Sequence, residues 1–295
     1  MIKSHRTLII ILILLLALFA AGCLGESDNT QEEKANETIT EDIKIENINV
    51  EGSTTVFPLA QAAAEIYMEN HPEKSINVIS GGSTTGIKAL IDDKVDIAMA
   101  SRKMKDSERE AAEANGIDPV EHVIAWDGLT VVVNPANPVD QLTYDQIKGI
   151  YDGSISNWAD VGGEDKEIII QNRDPSSGTY GYFKEELLGE EEFRPDLVSR
   201  GSNGAIVQAV TQEDAAIGYI GFAYLDDSVK AVDIDAGYGM VEPTSENILA
   251  GDYPLARPLH FYTDGQPTGL AADFIEYILS EEGTIIINDV GYFPT

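Results

Sequence analysis

The sequence predicts an α/β fold with substantial parallel sheet, and three observations carry that expectation. Short β-branched runs alternate with helical patterns through the region 46–295. Three of the strand-like runs pass through a turn of small hydroxyl residues directly into a helix. The region is also long enough, at roughly 250 residues, to bury a sizeable core and to divide most naturally into two domains.

In order, strand-like runs stand at 48–50, 76–79, 95–99, 129–133 and 168–170, and helical patterns at 59–70, 87–93, 106–115, 144–150 and 180–188. Further strands are expected at 217–220 and 258–262, with a last helix at 268–280. The first turn, Gly52-Ser53-Thr54-Thr55-Val56-Phe57-Pro58, follows Ile48-Asn49-Val50 and places Pro58 where a helix tolerates it, in the first turn. Gly81-Gly82-Ser83-Thr84-Thr85-Gly86 follows Ile76-Asn77-Val78-Ile79 in the same way. The third, Arg173-Asp174-Pro175-Ser176-Ser177-Gly178-Thr179-Tyr180, follows Ile168-Ile169-Ile170 and adds a guanidinium, a permanent cation with a planar fork of donors. Unpaired N–H groups and the positive end of the dipole make a helix start hospitable to an anion. One such turn is an ordinary helix cap; three can converge on one small oxyanion.

The N-terminal part reads as targeting sequence. Lys3 and Arg6 precede an apolar run from Leu8 to Ala21, followed by Gly22-Cys23. This is the form of a secretory signal over residues 1–22, and the run is at the short end for a membrane span, which needs about 20 apolar residues. Cys23 is the only cysteine, so no intrachain disulfide can form. Its position after Ala20-Ala21-Gly22 resembles a prokaryotic lipoprotein signal, in which that cysteine is lipidated and becomes the mature N-terminus; alanine stands where the motif prefers leucine. Residues 23–45, rich in Glu, Asp, Asn and Thr, are expected to form a disordered acidic tether.

The formal net charge is −32, and removing residues 1–22 takes away two cations and no acid. Such a surface argues against nucleic-acid binding, whose footprint is basic. It repels small anions at long range, but screening beyond about 8 Å at physiological salt leaves a locally positive pocket free to bind one. No motif points to catalysis. Gly86 is followed by Ile87, not by the Lys-Ser/Thr pair that a phosphate-binding P-loop needs. His71, His122 and His260 have no ligand-like spacing, so neither a metal nor another cofactor is expected. None of the turns carries a His or Lys in motif position to activate a hydroxyl.

Taken together, Gly52-Ser53-Thr54-Thr55-Val56-Phe57-Pro58-Leu59, Gly81-Gly82-Ser83-Thr84-Thr85-Gly86-Ile87-Lys88, Asp96-Ile97-Ala98-Met99-Ala100-Ser101-Arg102, Arg173–Thr179 and Ala216-Ile217-Gly218-Tyr219-Ile220-Gly221 resemble, in family order, the phosphate-binding proteins of ABC transporters. These have the type II periplasmic-binding-protein fold. The resemblance implies two α/β domains joined by a hinge, with the anion in the cleft between them. The domains are expected at 46–126 plus 241–295 and at 127–240, with crossings near Asp127-Gly128-Leu129 and around 235–240.

Matched motif by motif, the resemblance implies phosphate contacts from Ser53, Thr54 and Thr55, from Ser83, from Ser101 and Arg102, and from Arg173, Ser177, Gly178 and Thr179. One branch of the family has a carboxylate near Arg102 that accepts the proton of hydrogen phosphate. Here a second cation stands in that place; Asp127 or Asp174 is open either as a substitute acceptor or as a carboxylate that just orients an arginine. The expected protein is a monomeric, extracytoplasmic receptor, lipid-anchored to the membrane through Cys23, that captures phosphate for the permease subunits. A receptor for sulfate, molybdate or tungstate, a phosphoester hydrolase using the same cradle, and a surface sensory or adhesion module stay open as alternatives.

Overall fold

The structure, a computed structural model, describes residues 45–295. The signal at 1–22, Cys23 and the tether up to residue 44 lie outside the described residues. The chain begins with β1 (Glu46–Gly52), α1 (Phe57–Asn70), β2 (Lys74–Ser80), α2 (Ser83–Ile91), β3 (Ile97–Ala100) and α3 (Asp106–Ala114). Next come β4 (Pro119–Val133), β5 (Gln141–Thr143), α4 (Tyr144–Asp152), β6 (Ile169–Arg173), α5 (Gly178–Leu188), β7 (Val198–Arg200), α6 (Asn203–Gln212) and β8 (Ala216–Gly221). It finishes with β9 (Lys230–Ala231), β10 (Asp233–Asp235), β11 (Met240–Val241), α7 (Ser245–Ala250), β12 (Ala256–Asp264), α8 (Gly269–Ile278) and α9 (Glu281–Val290).

The main sheet runs β2-β1-β3-β12-β4-β8-β6-β7, and β5, β10 and β11 form a small second sheet. Its two ends are parallel: β1 pairs with β2 and β3, and β6 with β7 and β8. The middle is antiparallel, where β12 lies between β3 and β4 and β4 meets β8. At about 3.3 Å per residue, the 15 residues of β4 reach far enough to serve both halves. Up to Gly128 it pairs with β12, and from Leu129 it pairs with β8.

Two cores form on either side of that change of partner. One gathers Val50, Leu59, Ala63, Ile97, Met99, Phe261, Phe274 and Ile287. The other gathers Leu129, Val131, Ile147, Tyr151, Phe183, Ile217 and Tyr219, with the Phe183 and Tyr219 rings stacked at 3.9 Å between centroids. Ile248, Tyr253 and Leu255 belong to this second core. The stretch after 241 therefore stays with the second core until β12 begins, later than the return expected around 235–240.

The strand-turn-helix alternation appears where it is expected, and the differences have local causes. The first half of β4 carries Glu121, His122, Trp126 and Asp127 among its apolar residues, which hides its strand pattern. The helical stretch expected at 268–280 is followed by a second helix, because Ser280 Oγ accepts from Gly283 N at 3.2 Å and caps α9. Helix α6, capped by Ser202, and α7, capped by Thr244, were not anticipated.

Candidate anion-binding site

Each of the three turns is held in place by its own hydroxyl and glycine chemistry. After β1, Gly52 adopts φ +144°, and a Cβ there would collide with the Met99 carbonyl of β3, so only glycine fits. Ser53 N donates to that carbonyl at 2.9 Å, and Ser53 Oγ accepts from Thr55 N at 3.1 Å and Val56 N at 3.3 Å. After β6, Ser177 makes the same pair of contacts, accepting from Thr179 N at 3.1 Å and Tyr180 N at 3.3 Å, and here they cap α5, whereas those of Ser53 hold the turn ahead of α1. Buried Phe183 and Leu187 fasten α5 to the second core, which fixes where its first turn points. Ser83 opens α2, and its Oγ accepts from Ser101 N at 3.1 Å.

The turns meet. Thr55 Oγ1 lies 2.9 Å from Thr179 Oγ1, joining the first turn to the third. Thr84 N donates to Ser176 O at 3.0 Å, joining the second to the third. Gly178 faces Ser83 and Ser101 so closely that a Cβ would collide with both hydroxyls. Ser53, Thr55, Ser83, Ser101, Arg173, Ser177 and Thr179 are all buried.

Most of the hydroxyls at this meeting point already receive an N–H. Thr54 Oγ1 accepts from Arg173 Nη2 at 2.8 Å, Thr55 Oγ1 from Asn203 Nδ2 at 3.1 Å, and Thr179 Oγ1 from Arg257 Nη2 at 3.1 Å. Ser83 has the Ser101 amide. A hydroxyl whose oxygen is engaged in this way has its own hydrogen to give, and of the Thr55–Thr179 pair one hydrogen goes to the other hydroxyl while the second stays free. The cluster is therefore rich in O–H donors, as an oxyanion requires.

Electrostatics make the same demand. Arg173 is 1% exposed and its hydrogen-bonded partners are neutral: Nη1 donates to Asn203 Oδ1 at 2.8 Å and Nη2 to Thr54. Its Nε is buried and has no partner among the described residues. Burial, with a smaller contribution from Arg257, pulls Arg173 down to about 10, which still leaves it charged at neutral pH. Arg257, also buried, is neutralised by Asp127, to which Nε and Nη2 donate at 3.0 and 2.7 Å. Burial raises the Asp127 carboxyl even though Arg257 pulls the other way. Two buried guanidiniums and one buried carboxylate leave one buried positive charge, to which the less buried Asp174 adds only a minor Coulombic attraction and no hydrogen bond. An uncompensated buried charge costs several kcal/mol, so an anion at Arg173 removes a standing penalty.

Arg102, aimed at the anion in the sequence reading, is placed differently. Its guanidinium holds Glu108 through two contacts of 2.7 and 2.8 Å and donates to Lys103 O and Thr84 Oγ1. Burial works against ionised Glu108, but the hydrogen bonds from Arg102 and Lys105 N leave it lowered overall. A carboxylate six residues along, at the start of α3, satisfies this cation, and motif position alone does not reveal that. Asp174 is turned to its own loop, where Oδ1 accepts from Ser176 N and Oγ and the carboxyl is lowered.

Two residues in the network were missed. Asn203 follows Ser202 in Gly201-Ser202-Asn203-Gly204 and opens α6 just after β7, so this is a fourth strand–turn–helix unit with a legible Ser turn. Arg257 left only the signal of a lone cation beside an apolar strand. Among the described residues, no three His, Cys, Asp or Glu side chains gather as metal ligands do, and no helix is long and apolar enough to cross a membrane.

Comparison with known proteins gives consistent findings. Residues 29–282 match the family model described as the PBP superfamily domain. The chain is 33% identical to the phosphate-binding protein PstS of Bacillus subtilis, covering 99% of this chain and 95% of that protein. It is 34% identical to Pseudomonas aeruginosa PstS over 84% of this chain and 83% of that one. Among solved structures, a putative phosphate ABC transporter substrate-binding protein from Clostridium perfringens with bound phosphate matches with a TM-score of 0.78 and 36% identity, over 84% of this chain and 99% of that chain. A Vibrio cholerae ABC-type phosphate transport receptor matches with a TM-score of 0.69 and 34% identity, over 84% and 100%.

Proposed function

The chain belongs to the PstS-type phosphate-binding proteins of the PBP superfamily, and from that premise we propose that it captures inorganic phosphate at the meeting point of the three turns and delivers it to an ABC permease. One observation carries the assignment of the site: buried Arg173 has neutral partners and a free Nε, set among hydroxyls that have hydrogens to donate. We take Arg173 as the counter-charge, with Thr54, Thr55, Ser83 and Thr179 as hydroxyl donors and the Ser53, Ser101, Ser177 and Gly178 backbone as their frame. The two cores are read as two lobes, linked where β4 and β12 pass between them, and phosphate binding holds the lobes together.

Charge-assisted hydrogen bonds contribute about 1.5–3 kcal/mol each, and micromolar binding needs about 8 kcal/mol in all. A shell of this size is sufficient once the desolvation of a doubly charged anion is offset. Calorimetry of the ligand-stripped protein with phosphate, sulfate, molybdate and tungstate tests the reading. Phosphate is expected to bind at micromolar concentration or tighter and the others far more weakly; tighter binding of another oxyanion would replace phosphate as the ligand.

The protein acts as a receptor without turnover. The Ser53 and Ser177 oxygens accept from backbone N–H groups, which fixes a turn at Ser53 and caps a helix at Ser177 and does not make a nucleophile of either. Release of p-nitrophenol from a model phosphate ester, lost on Arg173→Ala, would overturn this. The receptor is extracytoplasmic and anchored by lipid on Cys23, so Cys23→Ser should move it from the membrane fraction to the soluble one.

A further inference from the structure

The Asp127–Arg257 pair lies where the two crossing strands meet. Arg257 on β12 is directly opposite Asp127 on β4 in the register of the sheet, two residues before Leu129, where β4 takes up β8. Both side chains are fully buried. Asp127 reaches beyond the pair, because its Oδ1 accepts from Phe222 N at 2.9 Å, just after β8.

Arg257 has contacts in three directions. Nη1 donates to Ser101 O at 3.1 Å, in the loop after β3. Nη2 is shared between Asp127 and Thr179 Oγ1 in the first turn of α5. The guanidinium carbon lies 5.4 Å from the centre of the Tyr182 ring, one helical turn further along α5. One side chain thus ties a crossing strand to a loop of the first core and to a helix of the second.

Ion pairing for stability would need only the Asp127 contacts. The remaining donors are aimed at the anion site: one anchors the backbone of Ser101, whose amide orients Ser83, and the other fills a lone pair of Thr179, leaving that hydroxyl to donate either to Thr55 Oγ1 or to an anion. We propose that Arg257, held and neutralised by Asp127, is a positioning residue that sets the Thr179 and Ser83 hydroxyls for the anion and couples its capture to the hinge between the lobes. Arg257 does this without supplying the counter-charge, which is the part of Arg173. The proposal rests on the phosphate-receptor reading and extends it to residues outside the three turns.

The test uses the full chain and inorganic phosphate. Arg257→Gln alone leaves Asp127 buried and unpaired and can fail to fold, so the decisive variant is Asp127→Asn/Arg257→Gln, which removes both charges at similar size. If the pair is only structural, this double variant binds phosphate within twofold of wild type. If Arg257 positions the hydroxyls, affinity falls about 10- to 100-fold, as for a lost charge-assisted hydrogen bond, while the melting temperature stays close to that of wild type. Arg257→Lys, which keeps the charge facing Asp127 but loses the fork, should also bind at least about fivefold more weakly; binding within twofold of wild type overturns the proposal.

A second readout is built into the chain. Trp126 precedes Asp127 on β4, is 39% exposed and pairs with Phe293 by a backbone bridge, so its emission reports on the hinge. At saturating phosphate, the wild-type change in emission should be reduced in both variants; an undiminished change overturns the hinge coupling. Absence of binding by the wild-type protein would instead sink the phosphate reading itself, so the two failures are distinguishable.

Discussion

Arg102 and Arg173 stand at comparable places in the two halves of the molecule, each at or just beyond the end of a strand and each buried, yet their surroundings are opposite. Arg102 meets Glu108 in a two-pronged ion pair, whereas Arg173 meets an amide and a hydroxyl and has one nitrogen left over. Burial of a cation does not by itself mark a ligand site. What marks it is a buried cation whose neighbours leave the charge unanswered, because that state is costly until an anion arrives.

The comparison is sharpened by removing each side in turn. The largest effect is expected for Arg173→Ala, which should weaken phosphate binding about 100-fold or more by calorimetry, since several charge-assisted contacts vanish together. Arg102→Ala should cost stability, about 1–3 kcal/mol in a denaturant titration, yet change phosphate affinity less than about threefold. Comparable losses of affinity in the two variants would break the contrast and return Arg102 to the shell.

A smaller effect concerns acid. Because the Glu108 carboxyl is held below its ordinary value of 4.5, its contribution is present above that value and is lost as pH falls through the lower folded value. Glu108→Gln should therefore flatten the acid limb of the stability profile measured by thermal melts below about pH 5, and an unchanged limb would show that the Arg102 pair adds nothing. The smallest effect belongs to His122. Its Nε2 lies 2.9 Å from Thr263 Oγ1 on the neighbouring strand, so His122→Ala should leave phosphate affinity within about twofold, and a tenfold loss would mean that the site extends along β12.

Much of the fold was legible because its signals are local. Turns of small hydroxyl residues between a β-branched run and a helical stretch mark β1–α1, β2–α2 and β6–α5, and the turn at Ser53 and the cap at Ser177 are made within a few residues of the chain. The elements that escaped are those whose pattern is diluted or set by distant contacts. They include the polar first half of β4 and the return of the chain to the first core after Leu255 rather than near Asp235.

By itself the sequence determined the α/β alternation, the three turns of small hydroxyl residues, the acidic character of the chain and the family, since each depends on residue type and short spacing. Tertiary structure alone decided which arginine is satisfied and which is not, and brought Asn203 and Arg257 beside hydroxyls far away in the chain. The physical reason is that a charge is judged by everything within a few ångströms of it, and those neighbours come from as near as six residues, as Glu108 does for Arg102, or from 130 residues away, as Asp127 does for Arg257.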